Sequence, residues 1–472
     1  MNRLPSHAEA VVIRFGTNGW RGIIGEDFTQ ARVGCAVRAI GEWFSETQRG
    51  GEVLLAHDRR LGGVRLVAQA VPILAACGLS VRPVCGAVPT PAVTRAVRRR
   101  GAAGALVFTA SHNPPTYHGL KVFDASGTAL SRSAAAAIEA RLLGALNSTP
   151  VPSTDRRTVF AAVDVRQSYC DELFAWLRPE CFRRRSPLHV TYDALHGAGA
   201  GVLDSVLTRA GVCVRVLRAE RDVRFGGGAP EPSGVTLLPL LHELRGAALG
   251  LATDGDADRF ALVTPQNGLV SEAEALALLF DSLAVSGRLA RGNGVALSHA
   301  CGSFPQRVVE EHGLLVQRVG IGFQKLSRLL ERGEAQVAGD ESGGFALAPF
   351  ALDKDGLLAA CLLVQAAAEE NLDARLRVLR KRIGRTYCER GAIAGTIIAM
   401  ARLETLRASP PVEVAGQRVC EARGDDGLWL GFRDGFLLLR RSGTEPLIRL
   451  YAEAATRQEL RARLRAAVQL LS

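Results

Sequence analysis

Paired cysteines and long apolar runs are both missing from this sequence. Its ten cysteines are scattered and none forms a Cys-x-x-Cys pair, which argues against a zinc site or a disulfide framework. We expect buried, reduced thiols instead. The longest apolar tract, residues 357–368, is too short to cross a bilayer and predicts a buried helix. The N-terminal residues contain no apolar signal region, so we expect a cytoplasmic protein without a membrane partner.

Lysine is also scarce, since only four of the 58 basic residues are lysines. Arginine therefore carries nearly all of the positive charge of a chain whose net charge is +11, and its guanidinium group suits anionic substrates because it binds phosphate in a bidentate manner. The arginine runs at 98–100 and 183–185 contain no interleaved aromatic residues. They indicate solvated surface, and no nucleic-acid partner is expected.

A chain of 472 residues with 47% hydrophobic and 22% charged residues is expected to form several well-packed domains. Apolar strands alternate with helical segments over most of the sequence, which predicts an α/β fold of layered sheets and helices. Three similar mixed α/β units, each with a glycine-containing loop after a strand, precede a smaller C-terminal α+β domain. The predicted domains are residues 1–152, 153–262, 263–372 and 373–472.

The first informative loop spans residues 109–115, Thr-Ala-Ser-His-Asn-Pro-Pro. It follows an apolar run at 104–108 that predicts a buried strand, and two prolines make the loop rigid. Ser111 thus lies at a strand end, where α/β proteins place their chemistry. The segment 57–60 ends another predicted strand and could face the same crevice. Taken alone, the loop could equally be an ordinary polar turn.

The second loop, residues 254–259, has the sequence Asp-Gly-Asp-Ala-Asp-Arg. In a loop after a strand, Asp254, Asp256 and Asp258 can converge on one hard cation, and their mutual repulsion is costly without a positive partner. A calcium EF-hand fails because it needs Gly at Arg259 and Glu at Pro265. A magnesium site for phosphate chemistry is favoured over an aspartate-nucleophile phosphatase and over an exposed acidic turn.

Three other segments can bind anions or hydroxyl groups. A strand predicted at 12–18 leads into a glycine-rich loop that contains Arg21. The loop at 340–344 offers an acceptor and a hydroxyl to a sugar. Near the C-terminus, strands are predicted at 395–400 and 428–439, and a phosphate-binding turn follows them. The side chains and backbone groups predicted in the last two loops are Glu341, Ser342, Arg441, Ser442, Gly443 and Thr444.

Together these loops resemble, in order and spacing, those of the α-D-phosphohexomutases, the family of phosphoglucomutase and phosphomannomutase. The resemblance covers nearly the whole chain and implies four domains around a central cleft. It implies a phosphoserine at Ser111 and one Mg²⁺ per chain, held by Asp254, Asp256 and Asp258 with a phosphate oxygen on Ser111. The implied isomerase interconverts hexose 1-phosphate and hexose 6-phosphate through a hexose 1,6-bisphosphate, which also serves as activator.

The resemblance also implies roles for the remaining residues. Lys121 is the expected general base, His112 could share proton transfer, and Arg21 and Arg259 would assist at the phosphate. The loop at 341–342 would hold the sugar, and the loop at 441–444 the phosphate that does not react. Two residues depart from the family pattern: His118 replaces a common Asn, and Gln324 stands where many relatives carry Lys.

The expected partner is a small phosphosugar, bound by a monomer or homodimer. Residues 341–344 are Glu-Ser-Gly-Gly rather than the Gln-Ser-Gly-His of phosphoglucosamine mutases, which favours glucose or mannose. The alternatives are a phosphoglucosamine mutase, a non-catalytic sugar-phosphate-binding relative, and a bisphosphate synthase or phosphatase on the same scaffold.

Overall fold

The computed structural model of the protein contains four sheets of four or five strands with helices packed against them. The predicted boundary at residue 152 and the loop residues Gly443 and Thr444 lie outside the part of the chain that the structure describes. Of residues 143–146, 183 and 184 only the backbone is described. The described residues are 13–16, 19–48, 50–146, 161–184, 187–442 and 446–472.

The first sheet has the order β1-β5-β4-β2-β3, with β2, β3 and β4 parallel and with β1 and β5 antiparallel to their neighbours. Its strands are β1 (Trp20–Ile23), β2 (Glu52–His57), β3 (Ser80–Ala87), β4 (Gly104–Phe108) and β5 (Tyr117–Phe123). The helices of this unit are Gln30–Thr47, Gly63–Ala76, Thr90–Arg100 and Arg132–Leu146.

The second and third units repeat this plan. Their sheets have the orders β10-β9-β8-β6-β7 and β12-β11-β13-β14. The strands are β6 (His189–Asp193), β7 (Cys213–Leu217), β8 (Leu249–Thr253), β9 (Phe260–Thr264), β10 (Gly268–Leu269), β11 (Gly294–Ser298), β12 (Leu315–Val319), β13 (Val337–Gly339) and β14 (Phe345–Leu347). The helices are Arg166–Trp176, Pro179–Arg184, Leu203–Arg209, the 3₁₀ turn Phe225–Gly227, Leu238–His242, Glu272–Val285, Ser303–Glu311, Phe323–Glu331, Gly356–Glu369 and Leu372–Ile383.

Each of these three sheets places one functional loop at the same point of its topology. The last parallel strand, β4, β8 or β13, ends in the loop and returns as an antiparallel neighbour, β5, β9 or β14. Strands β4 and β8 are buried at every position, as expected for sheets that are covered on both faces. The predicted loops therefore lie at carboxyl ends of parallel strands.

The fourth unit is an antiparallel sheet of order β15-β21-β20-β19-β18, with a separate two-stranded ribbon. The fold class predicted from sequence, three mixed α/β units and a C-terminal α+β unit, is confirmed. The strands are β15 (Tyr387–Ala394), β16 (Glu413–Val414), β17 (Gln417–Arg418), β18 (Glu421–Arg423), β19 (Leu428–Phe432), β20 (Gly435–Arg441) and β21 (Leu447–Ala454), and the helices are Ile397–Ala408 and Arg457–Leu471.

Two strand predictions are wrong. Residues 395–400 begin a helix, because the Thr396 hydroxyl caps it by accepting a hydrogen bond from the Ala399 amide at 3.1 Å. Ile397, the first residue of this helix, is 90% exposed. Of the strand predicted at 12–18, residues 12, 17 and 18 lie outside the described residues, and residues 13–15 are not in a strand. Gly16 and Gly19 exchange backbone hydrogen bonds, and the first strand is Trp20–Ile23.

One apolar core extends through the first three units, and each unit has a further cluster of its own. At its centre lies the helix Gly356–Glu369, which corresponds to the apolar tract of the sequence and is buried along almost its whole length. Its N-cap, Asp355, accepts hydrogen bonds from the Leu358 amide at 2.8 Å and from the Tyr169 hydroxyl at 2.7 Å. Among the described helices, none combines the length and the apolar character that a membrane crossing requires.

The Asp355→Asn variant is expected to become more stable relative to the wild type as the pH rises. Burial raises the pKa of Asp355 from 3.8 to about 6, so its stabilising contribution is present below pH 4 and is lost as the pH rises through 6. Asparagine can still cap the helix. We expect a relative gain of about 1–3 kcal/mol between pH 4 and pH 7, measured by thermal unfolding.

The matched control is Asp355→Ala, which removes both the helix cap and the partner of Tyr169. We expect it to be less stable than the wild type at both pH values, by about 1–3 kcal/mol. An Asp355→Asn protein whose stability changes with pH in parallel with the wild type would contradict the expectation.

Candidate active site

The Ser111 hydroxyl lies at the centre of the described loops. Ser111 is fully buried and has a left-handed backbone conformation, with φ at +50°. Its Oγ donates a hydrogen bond to Asp254 Oδ2 at 2.7 Å, which joins the first unit to the second. Its amide donates to Thr109 Oγ1 at 2.9 Å. A non-glycine residue in this conformation stores strain and is typical of functional sites.

The predicted metal ligands Asp254, Asp256 and Asp258 form a buried cluster. Each contributes a carboxylate oxygen, and these oxygens lie within 4.8 Å of one another. The second oxygens of Asp256 and Asp258, both Oδ1, are buried and have no hydrogen-bond partner. Such unpaired buried carboxylate oxygens are costly unless a cation binds them. The donor set therefore fits a hard divalent ion such as Mg²⁺.

Three cationic side chains surround this carboxylate cluster. Lys121 Nζ donates to Asp256 Oδ2 and to Asp258 Oδ2, each at 2.6 Å. Lys354 Nζ lies 3.0 Å from Asp258 Oδ2, and Arg259 Nε lies 3.9 Å from Asp258 Oδ1. The sequence analysis missed Lys354. This residue is one of only four lysines, lies between two aspartates and precedes the apolar tract at 357–368. Those features could have indicated it.

Burial and charge move the pKa values of these groups in different directions. Burial, with repulsion from Asp258 and Asp256, raises the pKa of Asp254 to about 7. Burial would also raise the pKa of Asp258, but Lys121, Lys354 and Arg259 outweigh it and hold that pKa well below its ordinary value. Burial opposes the charge of Lys121, yet Asp256 and Asp258 raise its pKa above the ordinary value. Lys121 is therefore an ammonium ion in this arrangement.

Arg21 and His112 form the wall beside the Ser111 loop. Arg21 Nη1 donates to Asn113 Oδ1 at 2.6 Å and to His112 Nε2 at 3.3 Å. Burial and the charges of Arg259 and Arg21 lower the pKa of His112 far below 6.5, so the imidazole is neutral and Nε2 is an acceptor. Burial and Arg259 lower the pKa of Arg21 to about 10, which leaves it charged at neutral pH.

The loop at 340–344 is organised around the Asp340 carboxylate. Asp340 Oδ1 accepts hydrogen bonds from the Ser342 amide at 2.9 Å and from the Ser342 hydroxyl at 2.7 Å. The carboxylate of Glu341 accepts a hydrogen bond from the Ser298 hydroxyl, and burial, with repulsion from Asp340, raises the pKa of Glu341. A bridge between Arg259 and Gly344 joins this loop directly to the metal-ligand loop.

A cleft of about 440 Å³ is lined by Arg259 and Ser342 on one side and by β15 and the helix Arg457–Leu471 of the fourth unit on the other. Arg441 lies exposed at the end of β20, and Ser442 follows it in a buried position. Arg441 ends a strand of the fourth unit and Ser442 follows it, whereas Ser111 follows a strand of the first unit. Gly443 and Thr444 lie outside the described residues.

The two departures from the family pattern have structural surroundings of their own. His118 is buried and stacks on Phe28 with ring centroids 5.1 Å apart, so it belongs to the core behind the loop. Gln324 is the second residue of the helix Phe323–Glu331. The N-terminal end of this helix contacts the fourth unit, since Asp426 accepts a hydrogen bond from the Ile321 amide at 2.5 Å and lies 3.6 Å from Lys325 Nζ.

The fold and this constellation of loops define a four-domain phosphosugar isomerase. All four domains of the phosphoglucomutase/phosphomannomutase family match in order: α/β/α domain I at residues 12–147, domain II at 167–268, domain III at 272–383 and the C-terminal domain at 398–470. The chain belongs to this family, the α-D-phosphohexomutases, whose members interconvert sugar phosphates.

Individual relatives carry different sugar names. A phosphoglucosamine mutase of Synechococcus sp. (strain RCC307) is 31% identical over 95% of this chain and 93% of its own length. A phosphoglucomutase/phosphomannomutase of Thermococcus kodakarensis is 27% identical over 97% of this chain and 98% of its own. The crystal structure of a Thermus thermophilus protein assigned as a phosphomannomutase superposes with a TM-score of 0.81 at 30% identity, covering 97% of this chain and 99% of the other.

Proposed function

We propose that the protein interconverts glucose or mannose 1-phosphate with the corresponding 6-phosphate, using Ser111 as the phosphate carrier. The observation that carries this proposal is the hydrogen bond of 2.7 Å from Ser111 Oγ to Asp254. It places a buried hydroxyl against a carboxylate cluster that has unpaired oxygens. Phosphoryl transfer requires mainly positioning and neutralisation of charge, and this site provides both.

In the first half of the cycle the bond between phosphorus and Ser111 Oγ breaks, and a bond from phosphorus to a sugar hydroxyl oxygen forms. The proton of that hydroxyl passes to a base, and the product is the hexose 1,6-bisphosphate. After this intermediate has reversed its orientation, the bond between its other phosphorus and the sugar oxygen breaks, and a bond from that phosphorus to Ser111 Oγ forms. The proton of the Ser111 hydroxyl passes to a base, the sugar oxygen takes up a proton, and the remaining monophosphate leaves. Each turnover restores the phosphoserine, and a free bisphosphate acts as activator because it can phosphorylate a Ser111 that has lost its phosphate.

Asp254, Asp256 and Asp258 would hold one Mg²⁺, which would supply positive charge to the transferring phosphoryl group when bound. Arg21 and Arg259 are placed to neutralise further phosphate charge. Neutral His112 already accepts a hydrogen bond from Arg21 at Nε2, and its lowered pKa makes it a weak base. Lys121 must first lose a proton from the ammonium group that its two carboxylate partners stabilise. The base role of Lys121 stays a prediction.

The sugar is proposed to bind between the 340–344 loop and the fourth unit. Glu341 and Ser342 would accept and donate hydrogen bonds to ring hydroxyls in both orientations. The distal phosphate would bind at Arg441, Ser442, Gly443 and Thr444.

The preference for glucose or mannose rests on position 344. Phosphoglucosamine mutases usually carry histidine there, but a Cβ atom on Gly344 would lie 2.6 Å from Lys354 Cδ. Lys354 therefore fills the space into which such a side chain would extend. The acidic Glu341 in place of glutamine adds a second difference from that subgroup.

Glucosamine phosphate is the second candidate substrate, because a relative with 31% identity over most of the chain is named phosphoglucosamine mutase. The carboxylate of Glu341 could also pair with a protonated 2-amino group.

A substrate comparison tests the proposal. Glucose, mannose and glucosamine 1-phosphates are each supplied with Mg²⁺ and a trace of the matching 1,6-bisphosphate, and kcat/KM is measured for formation of the 6-phosphate. We expect glucose or mannose to be favoured by at least about tenfold, a difference of about 1.4 kcal/mol. A higher kcat/KM for glucosamine 1-phosphate would establish the second candidate. Binding of sugar phosphates without isomerisation would leave only a binding function.

A further inference from the structure

The carbonyl groups of the Ser111 loop converge on one buried side chain, Arg60. Arg60 Nη2 donates to the carbonyl oxygens of Ser111 and Asn113, both at 2.6 Å. Arg60 Nη1 donates to the carbonyl oxygens of Pro114 and Tyr117, at 2.9 and 3.0 Å. A planar guanidinium group has enough N–H donors in fixed directions to bind four carbonyls at once, which an ammonium group lacks.

Arg60 is itself held in place from two sides. Its Nε lies 3.3 Å from Asp58 Oδ2, and the ring of Phe225, a residue of the second unit, covers the guanidinium with 5.0 Å between Cζ and the ring centroid. Only 1% of Arg60 is exposed. A side chain so enclosed has little freedom to change rotamer, so the positions of its four carbonyl partners are constrained with it.

A second path from Asp58 reaches the amide side of the same loop. Asp58 Oδ2 accepts a hydrogen bond from the Thr109 hydroxyl at 2.6 Å, and Thr109 Oγ1 accepts one from the Ser111 amide at 2.9 Å. Arg60 holds the Ser111 carbonyl while Asp58 holds its amide through Thr109. Both polar groups of the Ser111 backbone are therefore fixed by one pair of neighbouring residues.

This restraint explains how Ser111 keeps its left-handed conformation. A φ of +50° is unfavourable for a residue with a Cβ atom and persists only where the surroundings impose it. The same conformation directs Oγ to Asp254. Since the rate of phosphoryl transfer depends on placement of the reacting oxygen to within a fraction of an ångström, the restraint bears on catalysis as well as on folding.

We propose that Arg60 is a positioning residue for the phosphate carrier: its four carbonyl contacts impose the strained backbone of Ser111 that aims Oγ at the carboxylate cluster. The inference rests on the proposed function of Ser111. The described hydrogen bonds of the Arg60 guanidinium go to loop carbonyls and not to the predicted metal ligands. Its charge also interacts with Asp254 and Asp256, and a lysine at position 60 would keep that charge while losing the fork of donors.

The test compares Arg60→Lys and Arg60→Met with Arg59→Lys. Arg59 is a matched control because it also binds carbonyl oxygens, those of Ala219 at 2.6 Å and Ala200 at 3.4 Å, but none in the Ser111 loop. Each protein is treated with glucose 1,6-bisphosphate, and phosphate on Ser111 is quantified by mass spectrometry. Then kcat, KM for glucose 1-phosphate and amide hydrogen exchange at 109–117 are measured.

We expect Arg60→Lys to lower kcat by roughly 100-fold with KM changed by less than about threefold, and to accelerate exchange in residues 109–117 alone. Arg59→Lys should keep both kcat and exchange in that loop close to the wild type. If Arg60→Met does not fold, the lysine variant decides.

An Arg60→Lys enzyme with unchanged kcat and unchanged exchange would overturn the proposal, and so would an equal loss of kcat in Arg59→Lys. Failure of the wild type to take up phosphate on Ser111 would instead refute the carrier role of Ser111. In that case the exchange data alone would still decide whether Arg60 restrains the loop.

Discussion

Replacing Ser111 by alanine is expected to lower kcat by at least about 10⁴-fold, the order seen when a nucleophile is removed from an enzyme. Without Oγ there is no atom to which the phosphoryl group can be attached between the two half-reactions. The purified variant should also carry no phosphate at this loop after incubation with glucose 1,6-bisphosphate. Steady-state assays and intact-protein mass spectrometry measure the two effects.

The control for this experiment is the free energy of unfolding of the Ser111→Ala variant, compared with that of the wild type. Ser111 Oγ makes one hydrogen bond, to Asp254, and its loss leaves that carboxylate with the Arg259 amide at 3.2 Å as partner. We expect a change in unfolding free energy of about 1 kcal/mol, far too small to explain the loss of turnover. Isomerisation by Ser111→Ala at more than a tenth of the wild-type rate would show that another group carries the phosphate.

Substituting Asp254 by asparagine is expected to abolish magnesium-dependent activity while leaving the metal-free protein no less stable at pH 8. Activity should fall by roughly 10³-fold, because the metal site loses one of its three carboxylates. Stability should not fall, because the pKa of Asp254, raised to about 7 by burial and by its two neighbours, shows that the ionised side chain is unfavourable in the fold.

The sign of the pH effect follows from that shift. The pKa of Asp254 in the folded protein lies above its unfolded value of 3.8. The contribution of Asp254 to the stability of the wild type is therefore fully present below pH 4 and is lost as the pH rises to about 7. The unfolding temperature of Asp254→Asn minus that of the wild type should therefore increase over this interval without metal. Added Mg²⁺ should stabilise the wild type, by about 2.7 kcal/mol at a hundred times its Kd, and not the variant.

Asp281→Asn is the control in which stability, rather than the dependence on Mg²⁺, is expected to change. Asp281 is buried and accepts hydrogen bonds from Arg375 at 2.6 and 2.7 Å, and this pair includes none of the predicted metal ligands. Breaking this pair should reduce stability by several kcal/mol and leave the dependence of kcat on Mg²⁺ unchanged. If Asp254→Asn behaves like Asp281→Asn, the carboxylate cluster is structural and the metal assignment is wrong.

The sequence predicted the parts of the fold in which local pattern decides the structure. The apolar runs at 104–108 and 357–368 predicted a buried strand and a buried helix, and both are confirmed. It failed at 395–400, where β15 has already ended at Ala394 and Thr396 caps a helix.

What the sequence by itself determined is the chemistry of each loop. The alternate spacing of Asp254, Asp256 and Asp258 after a strand brings three carboxylates together within five residues, so no distant contact is needed to predict a cation site. The family resemblance likewise rests on short motifs, each confined to one loop.

Only the tertiary structure decided how these loops act on one another. It places Ser111 against Asp254, 143 residues away, adds the buried ammonium group of Lys354 to the cluster, and sets Arg60 against the Ser111 loop, 51 residues from Ser111. The spacing of residues within one loop indicates which side chains that loop can bring together. The packing of three separate sheets around a shared core decides which groups meet. It also decides how strongly burial shifts their pKa values.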